Sequence, residues 1–152
     1  MKVSLFYLPT VGTRAEIEAG RVGLRPEPYA RMLRDLSEQA ILGDALGYDS
    51  ISFTEHHFHV EGFELSNNPV LLDLYVGMQT KRIRVGQLGI VLPSQNPLRV
   101  AEDIAMLDHM TGGRANALDC RHSACASSSL SATITSRSTP TPSPSGRPDT
   151  SA

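Results

Sequence analysis

The sequence predicts an α/β fold with a parallel sheet and crossover helices. Three observations predict it. Short apolar runs alternate with amphipathic helical stretches along the first 117 residues, in the order β-α-β-α-β-α-β. The boundaries of those stretches carry helix caps. No segment repeats closely enough to suggest a solenoid.

Each element has a local reason. "KVSLFYL" (2–8) is a near-continuous apolar run, as expected of a strand buried on both faces. In "PEPYARMLRDLSEQAILGDALGYD", Tyr29, Met32, Leu33, Leu36, Ala40 and Ile41 fall on one helical face, and Gly47 stands where a helix C′ glycine belongs. "SISFTE" (50–55) reads as the second strand. Asn68-Pro69 has the form of an N-cap followed by proline at the first helical position, and Leu71, Leu74, Tyr75 and Met78 continue that helix. "RIRVGQLGIVLP" (82–93) reads as a third strand interrupted by Gly86 and Gly89. Asn96-Pro97 opens a third helix through "LRVAEDIAMLDHM", Gly112-Gly113 closes it, and "RANAL" begins a fourth strand.

Composition excludes several partners. The 152 residues include 14 basic and 16 acidic ones, a net charge of −2, which gives no reason to expect nucleic acid or anionic membrane as a partner. No apolar run approaches the ~20 residues of a membrane helix. The N-terminal run is cut short by Pro9 and followed by "TRAEIEAGR", which favours a first strand over a signal peptide. Cys120 and Cys125 make no disulfide framework, and a reduced, cytoplasmic setting is expected.

Composition changes sharply near residue 118. From Ser123 to Ala152, 19 of 30 residues are Ser, Thr or Pro. Without apolar periodicity that segment cannot offset an ordering cost of roughly 1–2 kcal/mol per residue, so 118–152 is expected to be a disordered tail.

The candidate chemistry lies in "SFTEHHFHVEGFELSNN" (52–68). In a parallel α/β fold, reactive groups collect at the C-terminal ends of strands, where Glu55, His56 and His57 fall. Alternation lets at most one of His56 and His57 face inward. His57 and His59 would share a face if the strand continued. A zinc site needs three or four converging ligands, and spacing supplies few; an acid–base role and a purely structural role stay equally open.

Taken together, "TEHHF", "NNP", "RIRVGQLGIVLP" and "NPLRVAEDIAMLDHMTGGR" resemble the luciferase-like class of flavin-dependent monooxygenases, over residues 1 to about 116. The resemblance implies a TIM (β/α)₈ barrel using reduced FMN and O₂ on a small-molecule substrate; some relatives use a deazaflavin and transfer hydride instead. It implies that His56 is the acid–base group, for which an imidazole pKa near 6.5 is suited. It places His57 near a subunit contact. It also implies a non-prolyl cis bond, Leu88–Gly89, beneath the flavin ring; alone, the residues suggest a bulge at Gly89. Finally it implies a homodimer formed through helices 69–80 and 97–110, with Tyr75, Met78, Ile104 and Leu107 as candidates for the seam.

The match stops short of a complete barrel, which takes ~250 residues. About three and a half βα units are present. Beyond "GGRAN" the resemblance implies a glycine-containing strand and an Arg-Gly pair for the flavin phosphate. The chain reads "ALDCRHSAC", so Arg121 lacks its flanking glycines. The change falls inside a strand, whereas a domain boundary falls after an element. The expectation is a partial barrel over 1–117 and an out-of-frame continuation over 118–152. Coding DNA without a βα pattern in either alternative frame would rule out the shift. Such a half-barrel is expected to be marginally stable, to associate or aggregate, and to bind flavin weakly or not at all. Three functions compete: the flavin enzyme, a non-catalytic fragment that dimerises with a full-length homologue, and a metal-binding domain using His56, His57, His59 and Cys120.

Overall fold

The computed structural model describes residues 2–116. The tail, the expected frame change, Cys120 and Arg121 lie outside the described residues. Three parallel strands, β1 (Ser4–Tyr7), β2 (Ser50–Phe53) and β3 (Arg84–Gln87), form a sheet in sequential order. Ser4, Ser50 and Arg84 align across it, as do Tyr7, Phe53 and Gln87. Helix α1 (Arg14–Glu18) sits in the loop after β1, and α2 (Pro26–Leu46), α3 (Pro69–Gly77) and α4 (Pro97–Thr111) follow β1, β2 and β3. Sequential parallel strands with helical crossovers make this the N-terminal portion of a (β/α)₈ barrel. A fourth strand is begun by one parallel bridge, Val85 to Ala115.

The caps form as the sequence predicts. Asn68 Oδ1 accepts from Leu71 N–H at 3.1 Å, Asn96 Oδ1 accepts from Leu98 N–H at 3.0 Å, and Gly47 and Gly112 end α2 and α4 in the left-handed region. Helix α1 was not legible as more than loop. It rests on a capping box in which Thr13 and Glu16 satisfy each other's backbone N–H groups.

The core lies between the sheet and the helices. Ile51, Phe53 and Val85 are fully buried against Met32, Leu36 and Ala40 of α2, Leu72 and Val76 of α3, and Leu107 of α4. Tyr7 meets Phe53 edge to face, with ring centroids 6.3 Å apart. The other sheet face carries Ser4, Phe6, Ser50, Ser52 and Gly86. Ser50 Oγ donates to Ser4 Oγ at 2.7 Å.

Several expectations need correction. β1 is not buried on both faces: Phe6, Val3 and Leu8 are exposed because β1 is an edge strand whose inner side lacks further barrel strands among the described residues. Ile41 is exposed, since a 21-residue helix turns that position past the edge of its packed stripe. β3 is four residues, not twelve, because the chain turns away after Leu88. Leu107 is buried in the core and unavailable to a subunit seam, while Tyr75 and Met78 are exposed. Among the described residues no helix is long and apolar enough to cross a membrane.

Arg114, from "TGGR", fastens this end of the structure. Its guanidinium donates to the carbonyls of Gly77, Ile83 and Thr111 at 2.6–2.9 Å and to Thr80 Oγ1 at 3.0 Å, joining α3, β3 and α4.

Candidate active site at the end of the central strand

Parallel strands put their C-terminal ends on one side, and β2, the middle strand, delivers Thr54, Glu55, His56 and His57 there. The Glu55 side chain is fully buried. Its Oε2 accepts from Val91 N–H at 2.7 Å, and its Oε1 accepts from Gln95 Nε2 and from His57 Nε2, each at 2.8 Å. One carboxylate therefore ties β2 to the β3–α4 loop and orients His57. The sequence marks Glu55 as a strand-end acid; its partners 36 and 40 residues on are set only by the fold.

His56 points elsewhere. Its backbone N–H donates to Ser66 O at 2.8 Å, and its Nε2 lies 3.1 Å from Glu64 Oε2. Strand β2 ends at Phe53, so His57 and His59 do not share a strand face as they would in a longer one. Instead the loop folds back, and the rings of His56 and His59 stand 5.5 Å apart. Ligand atoms of His56, His59 and Glu64 all lie within 4.8 Å of one another. His59 Nδ1 is buried; Glu61 Oε1 lies 3.2 Å away but off the line of a hydrogen bond.

Backbone pairing fixes this loop. Val11 N–H donates to Gly62 O at 2.7 Å, Leu65 N–H to Pro9 O at 2.6 Å, and Gly23 N–H to Val60 O at 3.0 Å. The loops after β1 and β2 thus brace each other. Gly62, at φ +99°, is required: a Cβ there would stand 2.3 Å from a Val22 methyl and 2.6 Å from Val11 O.

The expected cis bond at Leu88–Gly89 is not found; every peptide bond among the described residues is trans. Leu88 N–H donates to Phe53 O at 2.7 Å, extending the β2–β3 ladder by one bond, and Gly89 at φ +119° makes the turn that follows. A glycine in that region turns the chain at little steric cost, whereas a non-prolyl cis bond costs ~3–4 kcal/mol. Leu88 is exposed at the same sheet end.

A second buried acid lies one layer outward. Asp73 of α3 is fully buried and accepts from Gln87 Nε2 of β3. Burial pushes its carboxyl well above the usual carboxylate range, against the lowering effect of hydrogen bonds from Gln87 and the Gly86 backbone. No sequence pattern pairs these two residues.

A cleft of about 450 Å³ lies at the opposite end of the strands, beside Lys2, Asp44, Asp49, Arg82 and Arg84. Its charges are mutually satisfied: Arg84 pairs with Asp49, and Arg82 donates to Asp44 O at 2.7 Å. The strand-end histidines remain the better candidate for chemistry.

The chain is 40% identical over 86 residues to the uncharacterized protein y4wF of Sinorhizobium fredii, covering 57% of this chain and 25% of that one. It is 35% identical over 83 residues to the alkanal monooxygenase alpha chain of Photorhabdus laumondii, covering 55% of this chain and 23% of that one. Among solved structures it resembles the oxygenating constituent of 3,6-diketocamphane monooxygenase from Pseudomonas putida, a type II Baeyer-Villiger monooxygenase in complex with FMN. The TM-score is 0.61 at 26% identity, covering 76% of this chain and 28% of that one. The chain thus spans about a quarter of the length of the curated relatives it matches. Residues 1–117 match the profile of the luciferase-like monooxygenases, and the chain belongs to that family.

Proposed function

We propose that this chain carries the histidine-bearing portion of a flavin-dependent monooxygenase, an oxidoreductase that uses reduced FMN and O₂ on a small organic substrate. The observation that carries this reading is the placement of His56 at the C-terminal end of β2, on a loop braced by Glu55, in a chain of the luciferase-like family. The FMN bound to the similar Pseudomonas putida protein supports the choice of flavin over deazaflavin.

The residues present fit a flat, polar-edged ring. Phe6 and Leu88 offer exposed apolar surface on the inner side of the sheet, and the buried hydroxyls of Ser52 and Thr54 lack hydrogen-bond partners. Leu88 and Gly89 would hold the ring's face, Gly89 having no Cβ to keep the backbone away. When bound, reduced flavin supplies the electrons that activate O₂. The chain's own task is positioning and proton transfer. His56, whose Nε2 lies 3.1 Å from Glu64 Oε2, is the ring that would exchange a proton. Glu55 keeps the β3–α4 loop seated over the strand end.

Titration of the full chain with reduced and oxidised FMN, followed by fluorescence and light scattering, tests this. Weak but saturable binding by dispersed protein is the outcome that supports the reading. His56→Ala should then keep the binding and lower turnover by roughly 10²–10⁴-fold. Aggregation without saturable binding would refute the reading.

One observation favours a second reading, a non-catalytic fragment that dimerises with a full-length homologue. Leu71, Tyr75 and Met78 form an exposed stripe on and just past α3, and Met106 and Met110 form another on α4. Sedimentation of the chain mixed with a full-length homologue, without flavin, distinguishes it.

A further inference from the structure

We infer that His56, His59 and Glu64 form a site for a divalent transition-metal ion, zinc foremost. Three ligating side chains from one loop already converge, with ligand atoms within 4.8 Å of one another. Tetrahedral zinc with bonds of roughly 2.0–2.1 Å needs ligand atoms about 3.3 Å apart. His56 Nε2 and Glu64 Oε2, at 3.1 Å, already meet that spacing. The His59 ring must turn to close the remainder. The side chains of His56, His59 and Glu64 are 36%, 32% and 15% exposed, open enough to admit an ion and enclosed enough to hold one.

The backbone is shaped for this convergence. Phe58 (φ 64°) and Glu64 (φ 54°) occupy the left-handed region, unusual for side chains of that size. The turn at Glu64 carries its carboxylate back to His56. Hydrogen bonds from Val60 N–H to Phe58 O at 2.9 Å, Ser66 N–H to Glu64 O at 3.0 Å and His56 N–H to Ser66 O at 2.8 Å hold the loop in that form. In addition, His59 Nδ1 is a buried polar atom without a hydrogen-bond partner, as a nitrogen held for a ligand would be.

The donor set selects the ion. Two imidazoles and one carboxylate suit zinc, cobalt, nickel or copper, and poorly suit magnesium or calcium, which prefer all-oxygen shells. Three protein ligands leave a fourth position for water. His57 takes no part, because Glu55 holds its Nε2.

Metal binding does not depend on the flavin reading. One consequence does: an ion on His56 removes its nitrogen from proton transfer, so zinc would inhibit the monooxygenase.

The test uses the full chain and metal alone. Co²⁺ should bind at one equivalent, with the visible absorption of a four- or five-coordinate centre, and Zn²⁺ should displace it. His59→Ala and Glu64→Gln should each weaken binding at least about tenfold, and His109→Ala, on the exposed end of α4, should not. Far-UV circular dichroism establishes that the variants fold, and the near-isosteric Glu64→Gln carries the test should His59→Ala misfold. Absence of saturable one-equivalent binding would overturn the inference. So would binding that Glu64→Gln leaves unchanged, or binding that falls with His109→Ala.

Discussion

Glu55→Ala is the most informative change to make. The Glu55 side chain is fully buried and receives three hydrogen bonds. Their worth is unequal. Val91 N–H, half-buried, would lose its acceptor, a cost of about 1–3 kcal/mol. Gln95 is exposed and the His57 side chain is one-third exposed, so both donors can turn to water, each losing only about 0.5–1 kcal/mol. Removing the buried methylenes adds roughly 1–2 kcal/mol. Together these predict a loss of about 3–7 kcal/mol, a large share of the ~5–15 kcal/mol of an ordinary domain. In urea, with a slope of roughly 1.5 kcal/mol per molar, the midpoint should fall by roughly 2–5 M. The Val91 amide should also exchange hydrogen faster than amides in β2, because the β3–α4 loop is released first. A midpoint shift below about 0.5 M, with Val91 exchange unchanged, would refute the idea that this carboxylate anchors the loop.

Three further outcomes follow from the same geometry. Asp44 accepts from the N–H groups of Lys81, Arg82 and Ile83 at 2.7–2.9 Å; burial opposes its ionisation, but those bonds and the Arg82 charge outweigh it and lower its pKa. Its stabilisation is present above the unfolded value near 3.9 and lost as pH falls through the lowered folded value, so Asp44→Ala should cost about 2–3 kcal/mol at pH 7 and progressively less as pH falls below about 3.9, read by thermal unfolding. Asp73 shows the opposite sign. Its raised folded pKa makes its contribution complete below the unfolded value and lost as pH rises through the folded one, so Asp73→Asn should raise stability at neutral pH; a lower urea midpoint at pH 7 would contradict this. Gly86→Ala should cost about 3 kcal/mol or prevent folding, because its Cβ would lie 1.9 Å from Asn116 O, where the fourth strand pairs with β3. A soluble variant with an unchanged melting temperature would show that this edge gives way freely.

Much of the fold was legible because it is written in local terms. Asn68-Pro69 and Asn96-Pro97 set helix starts, and Gly47 and Gly112 set helix ends, through contacts spanning only a few residues. The β-α alternation gave the parallel sheet, since a right-handed crossover is nearly the only connection available to it. The limits of β1 and β3 were not legible. Whether Phe6 is covered depends on which strand lies beside β1, and β3 stops where Gly89 takes φ +119°.

The site divides in the same way. By itself, the sequence determined the parallel α/β class, the position of Glu55, His56 and His57 at a strand end, and the family, because period, cap chemistry and motif order are properties of neighbouring residues. Tertiary structure alone decided which groups those side chains meet. Glu55 reaches Val91 and Gln95, Asp73 reaches Gln87, and His56 turns to Glu64 and His59 rather than His57 following a strand face toward His59. Such contacts depend on where loops separated in the chain return to one another. That return is fixed by backbone pairing between the loops after β1 and β2, which leaves no periodic trace in the sequence.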